Sequence, residues 1–224
     1  MSITKNILCA AIAAFASVAS VQAVTINYTF NFSGSSALSS SKTFASTPGG
    51  ISVDVTATAY WNNSWISASV GQYTGGLGVT NSKENGTDPS HTMDSYNGVD
   101  YLIFKFTPNV DVNGVTIGYE GYDDIDFRWW VNNTGTPSST GGTQVTNASV
   151  GNAYTFSPNT TDQWNYLILA ADRDNTGNDY NGLKVKSLSI SYTTSNTPGV
   201  PDSGSTVAML GVGLLSLAVF KRRK

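Results

Sequence analysis

Runs in which every second residue is apolar recur along this chain, and they decide what it can fold into. Ile26, Tyr28, Phe30 and Phe32 alternate with polar residues, as do Ile51, Val53, Val55, Ala57 and Ala59. Leu102, Phe104 and Phe106 form a third run. Val110 and Val112, then Val115, Ile117 and Tyr119, flank a kink at Asn113-Gly114. Ile125, Phe127, Trp129 and Val131 follow, and then Tyr154 and Phe156. A period of two places such side chains on one face of a strand. Trp164 to Ala171 reads as a strand buried on both faces. In the last run Leu183 and Val185 share one phase, while Leu188, Ile190 and Tyr192 take the other. That slip, at Ser187, predicts a bulge. Pro48-Gly49-Gly50, Gly75-Gly76, Asn97-Gly98, Thr136-Pro137 and Gly141-Gly142 supply turn chemistry between runs. No useful helical period appears, and no internal repeat of about 20–50 residues that would mark a propeller or solenoid. The prediction is an all-β body over residues 24–192, closed as a single antiparallel, jelly-roll-like β-sandwich.

Composition agrees. Only 12% of the 224 residues are charged, against roughly 25% in an ordinary soluble domain. Aromatics make up 11% and apolar residues 40%, enough to build a core and to disfavour disorder. Ser, Thr, Asn and Gly in place of Lys and Glu describe an exported protein. Residues 24–199 hold 14 of the 15 acidic side chains but only 7 of the 12 basic ones. An acidic body is a poor partner for nucleic acid, which attracts basic surfaces.

The two ends read as addresses. Residues 1–23 have the parts of a cleavable signal helix: Lys5, an Ala-rich apolar stretch from Ile7 to Val21, and Val21-Gln22-Ala23 before the predicted cut. Cys9 falls inside it, so the processed chain would have no disulfide and no thiol chemistry. At the other end, a linker at 193–199 leads to Val200-Pro201-Asp202-Ser203-Gly204. Ser205 to Phe220 is uncharged, and Lys221-Arg222-Arg223-Lys224 closes the chain. Sixteen helical residues reach about 24 Å, slightly short of a hydrocarbon core, and would span a thinned bilayer. The basic cluster would stay cytoplasmic.

This arrangement of motif, apolar helix and basic end over 200–224 resembles the C-terminal sorting signals of exosortase substrates, the VPDSG variant of the PEP-CTERM class. The resemblance implies export past signal peptidase and transient anchoring in the inner membrane of a Gram-negative bacterium that makes exopolysaccharide. It also implies cleavage near the motif by an exosortase, a membrane-embedded cysteine transpeptidase, and delivery to the cell surface or extracellular matrix. A second resemblance covers about residues 76–131. Gly76-Leu77-Gly78-Val79, His91-Thr92-Met93-Asp94, the strand from Asp100, Val115-Thr116-Ile117-Gly118-Tyr119 and Asp123-Asp124-Ile125-Asp126 follow in order. They look like the body of PEP-CTERM-type surface proteins, although Ser95 stands where that pattern has Asn.

Two groups of side chains are candidates for chemistry. Asp172, Asp174, Asn175 and Asp179 offer the oxygens that Ca²⁺ takes. Leu183, however, stands where an EF-hand would have its bidentate Glu, so solvated acidic loops are the plainer reading and no cofactor is required. Trp61, Trp65 and Trp130 are candidate carbohydrate contacts, because a sugar ring presents an apolar C–H face to an aromatic surface. His91, the one histidine, and Asp94 are read as loop-pinning residues rather than parts of a triad, since no nucleophile elbow occurs. The function expected is a non-catalytic, structural or adhesive surface protein associated with exopolysaccharide. A carbohydrate-binding module is the alternative, and a polysaccharide hydrolase with paired carboxylates the third.

Overall fold

The computed structural model describes residues 23–46, 50–84, 91–120, 125–156, 163–172 and 182–194, and every regular element in them is a strand. In chain order these are β1 (Thr25–Asn31), β2 (Ser36–Ser39), β3 (Ser41–Ala45), β4 (Ser52–Trp61) and β5 (Ser64–Tyr73). Next come β6 (Gly76–Asn81), β7 (Met93–Asp94), β8 (Val99–Glu120) and β9 (Phe127–Asn132). The last four are β10 (Thr143–Val145), β11 (Ala153–Thr155), β12 (Trp164–Ala171) and β13 (Gly182–Thr193). All of the pairings are antiparallel.

Five strands close on themselves. β4 pairs with β5, β5 with β6, β6 meets β13 at Leu77–Val185, β13 pairs with β8, and β8 returns to β4. The other strands lie outside this barrel: β1 and β7 on β13, β2 on β5, β3 on β4, β11 on β8, and β12–β9–β10 continuing from β8. The predicted sandwich is therefore corrected to one sheet with a closed barrel and outer strands. The cause is strand length. β8 has 22 residues, roughly 70 Å if straight, so it bends and serves two sides. Its first half, Val99–Thr107, pairs with β4, and its second half, Asp111–Glu120, pairs with β13. Pro108-Asn109 falls where the β12 register jumps from Lys105 to Val110. β5 does the same on a smaller scale, giving Ser64–Ser67 to β4 and Ala68–Tyr73 to β6.

The kink read at Asn113-Gly114 is a bulge within one continuous strand. Ser189 lies opposite Gly114 and Ile190 opposite Val112, so the register skips Asn113, whose Oδ1 accepts from Ser191 Oγ of β13 at 3.3 Å. The phase slip in β13 is also present, as a register shift between Val185 and Ser187.

Closing the barrel buries the alternating faces against one another. Phe30, Phe32, Val53, Val55, Phe104, Phe106, Val112, Ile117, Phe127, Leu167, Leu188 and Ile190 belong to one continuous core. Phe32 is fully buried, with its ring 4.8 Å from Phe44 and 5.8 Å from Phe104. Trp129 stacks on Phe156 at 4.1 Å, as core residues do. Thr25–Thr194 is one unit. Among the described residues no helix is long and apolar enough to cross a membrane. The predicted signal helix, at residues 1–22 of its span, and the sorting helix at 205–220 lie outside the described residues.

Candidate functional site

Four strands, in the order β4–β8–β12–β9, carry a second apolar cluster on the face away from the core. Antiparallel partners share a face, so register alone lists its members. Thr58, Tyr101, Ala170 and Arg128 form one row across the sheet, and Thr56, Ile103, Ile168 and Trp130 form the next. Tyr101, Ile168 and Ala170 are buried there, with Tyr60, Val99, Ile103 and Trp130 packed around them. Ala170 is small between two large neighbours, Tyr101 and Arg128, and so leaves a hollow. The result is an open groove of about 560 Å³.

Its walls are held in place locally. One is the β4–β5 hairpin, whose two-residue loop, Asn62-Asn63, has φ of 46° and 62°. Two successive positive φ values make the tight turn that matches strand twist, and Asn tolerates them better than most residues. The other wall is the segment 138–141. Asn132 Oδ1 accepts from the backbone N–H of Thr134 (3.0 Å) and Gly135 (2.7 Å), and Tyr101 Oη donates to the Ser138 carbonyl at 3.3 Å. Gly142 has φ of +105°, and a Cβ there would press into the Trp130 ring at 2.7 Å, so only glycine lets this segment close down.

The aromatics form a chain beside the groove. Trp65 sits 5.0 Å from both Tyr60 and Tyr101, and Tyr101 lies 6.1 Å edge-on to Trp130. Burial pushes the Tyr101 phenol up to about 12; Arg128 opposes this, while Tyr60 and Asp172 add to it. It therefore stays a hydrogen-bond donor at any physiological pH. At the groove's end Arg128 Nε donates to Asp172 Oδ1 at 2.7 Å, with side chains 32% and 5% exposed.

The three tryptophans singled out in the sequence thus come together. Trp61 and Trp130 line the groove, and Trp65 packs next to it at 44% exposure. Asp172 is placed as the partner of Arg128. Asp174, Asn175 and Asp179, the rest of the candidate calcium set, lie outside the described residues, as do Asp123 and Asp124. The roles of Tyr101, Arg128, Asn62, Asn63 and Ala170 were not foreseen. Of these, the Asn-Asn pair between two aromatic runs was a readable hairpin signal.

A separate acidic cluster also escaped the sequence reading. Carboxylate oxygens of Glu84, Asp94 and Asp100 lie within 4.8 Å of one another, an arrangement whose charge a hard cation or a shared proton would neutralise. Asn81 Nδ2 bridges it, donating to Glu84 Oε1 (2.9 Å) and Asp100 Oδ1 (3.1 Å). Asp94 accepts from Thr92 Oγ1 and from the Tyr96 backbone N–H, which orders the turn leading into β8. Burial foremost, then the Asp94 and Glu84 carboxylates, holds the Asp100 carboxyl well above the usual range. His91 is a neighbour through β6, with Nδ1 3.1 Å from Thr80 Oγ1 and its ring stacked on Tyr73 at 5.5 Å.

With the body described, the C-terminal segment decides the identification. Residues 199–224 match the model of the VPDSG-CTERM motif. The chain carries an exosortase sorting signal. That signal marks an exported protein, processed at the membrane by an exosortase and destined for the cell surface. Val200, Pro201, Asp202, Ser203 and Gly204, and the basic tail Lys221, Arg222, Arg223 and Lys224, all fall within the matched segment, which lies outside the described residues. The match does not extend into the body. No curated protein and no solved structure matches the chain.

Proposed function

We propose that this protein is a non-catalytic, structural or adhesive component of the exopolysaccharide matrix of a Gram-negative bacterium. In this reading signal peptidase removes residues 1–23, and Ser205–Phe220 holds the exported body briefly at the inner membrane. Exosortase then cuts near Val200–Gly204 and the body reaches the surface or matrix. No cofactor is needed for such a role. The observation that carries the reading is the match at 199–224. Its physical logic is that an anchor which is later removed delivers a soluble body to a chosen surface. Two features of the body support the non-catalytic part. Asp172 is the one carboxylate among the described residues lining the groove, and it is held by Arg128. The Glu84–Asp94–Asp100 carboxylates are mostly buried rather than set across a cleft. Fractionation of the native host tests the role. The processed protein should co-sediment with surface polysaccharide and appear in the medium when polysaccharide synthesis is blocked. Release into the medium in both strains would contradict it.

A further inference from the structure

We infer that the groove between the Asn62-Asn63 turn and the 138–141 segment binds a neutral polysaccharide chain. The inference rests on the matrix reading above and names the surface through which that role is exerted. Its volume, about 560 Å³, falls in the range of roughly 300–1,000 Å³ typical of small-ligand sites. The chemistry around it is more specific than its size. Trp130 supplies a half-buried indole whose other contacts, Gly142 and Tyr101, fix its orientation. A pyranose ring has an apolar C–H face that packs on such a surface, and hydroxyls at its edge that need partners.

Those partners stand around the rim. The side-chain amides of Asn62 and Asn63 have no hydrogen-bond partner among the described residues, although both residues line the groove. Each amide offers two donors and an acceptor, the combination that vicinal hydroxyls require. Arg128 contributes an edge. Its Nε is committed to Asp172, while its two Nη nitrogens have no partner among the described residues. Because Asp172 neutralises that guanidinium, the Nη edge donates hydrogen bonds without adding net positive charge. A neutral sugar therefore fits better than a uronate, which would bring an unbalanced carboxylate to an acidic body. The walls are side-chain amides and hydroxyls rather than a free strand edge, so the groove offers no ladder to an extended peptide.

The site is also preformed. The Asn-Asn turn, the Asn132 hydrogen bonds and Gly142 fix both walls without a ligand, which lowers the ordering cost of binding.

The test uses the full chain in a detergent without a sugar headgroup, titrated with hexasaccharides of glucose, mannose and galactose and with a hexauronate. Tryptophan fluorescence and calorimetry read binding. At least one neutral hexasaccharide should bind saturably and at least tenfold more tightly than the hexauronate. Trp130→Ala should weaken that binding at least tenfold. The paired change Asn62→Gly with Asn63→Gly keeps a turn that glycine adopts freely, so it should weaken binding at least fivefold with an unchanged melt. Absence of binding to every neutral hexasaccharide, preference for the uronate, or binding that survives the Asn changes in a folded chain would each overturn the inference. Failure of the matrix reading would appear instead in host fractionation, with this binding intact.

Discussion

Gly78, in the barrel strand β6, is where an added methyl group would meet the nearest backbone atom among the described glycines. It lies in β6 opposite Gly71, and a Cβ there would overlap the carbonyl oxygen of His91 and come within 2.9 Å of its carbon. Real Cβ contacts essentially never fall under 3.0 Å, and a backbone carbonyl cannot rotate out of the way as a side chain would. Gly78→Ala must therefore push β6 and residues 91–92 apart. Overpacking of this kind costs about 1–3 kcal/mol. The displacement also loosens the Thr80–His91 hydrogen bond, worth about 1 kcal/mol, and the Tyr73–His91 stack, worth about 0.5–1.5 kcal/mol. Alanine recovers about 0.4–1 kcal/mol by restricting the unfolded chain. The net loss is about 2–4 kcal/mol, a large share of the roughly 5–15 kcal/mol typical of a domain. At about 2–4 °C per kcal/mol for a chain of this size, the melt should fall by roughly 5–15 °C. Gly50→Ala is the control. It has φ of +64° and nothing within 4 Å of the added methyl, so it should lose only about 1 kcal/mol of backbone strain. Parallel thermal melts of the two full-length variants, followed by near-ultraviolet circular dichroism, compare them directly. A Gly78→Ala melt equal to or above that of Gly50→Ala would refute the steric account of β6.

Three further outcomes follow from the same structure. The Asp100 carboxyl, raised by burial and then by Asp94 and Glu84, binds its proton more tightly folded than unfolded. Its contribution is full below the ordinary aspartate value and is lost as pH climbs through the raised one. Denaturant melts in chelator should show stability declining upward from about pH 4, and Asp100→Asn should flatten that decline; parallel pH profiles would argue against the raised carboxyl. Arg128→Gln removes the cation beside the buried Asp172; with Arg128 about a third exposed, chemical denaturation should show a loss of about 1–2 kcal/mol, and no measurable change would reduce the pair to a surface contact. Phe32→Ala empties a fully buried ring site and should cost about 3–5 kcal/mol, read as a lower denaturant midpoint; a loss under about 1 kcal/mol would mean that the core collapses to fill the space.

What the sequence revealed tracks how regular each strand is. β1, β4 and the first half of β8 alternate cleanly because each lays one face on the core, and their phases were readable; the second half of β8 changes phase at its Asn113 bulge, where the sequence showed a kink. β5 was not. Its first four residues serve one side of the barrel and its last six another, so its burial runs from exposed Ser64 and Trp65 to buried Val70 and Gly71 with no single period. β6, GLGVTN, is glycine-rich because of close backbone approach at Gly78, and glycine in a short run imitates a turn. Barrel closure was illegible for a related reason: it depends on one strand changing partners near Pro108, a property of pairing rather than of composition. The groove was half legible. Trp61, Trp65 and Trp130 stood out by residue type, whereas Ala170 and Arg128 acquire meaning only from the register that sets them in a row with Tyr101. The Glu84–Asp94–Asp100 cluster spans three segments brought together by the fold, and no local pattern announces it.

The central claim, that the chain is a sorted surface protein rather than a permanently anchored one, concerns Val200–Gly204. Ser205–Phe220 and Lys221–Lys224 could lodge and orient any C-terminal anchor, but only the motif offers an enzyme something to read. The decisive measurement is the intact mass of the protein recovered from a host with the matching exosortase, for wild type and for a variant with Pro201, Asp202 and Ser203 all replaced by alanine. Wild type should lack the residues after the motif, whereas the alanine variant should keep Lys224 and stay in the membrane fraction. Lys224 retained in both would contradict the account and make the tail a simple anchor.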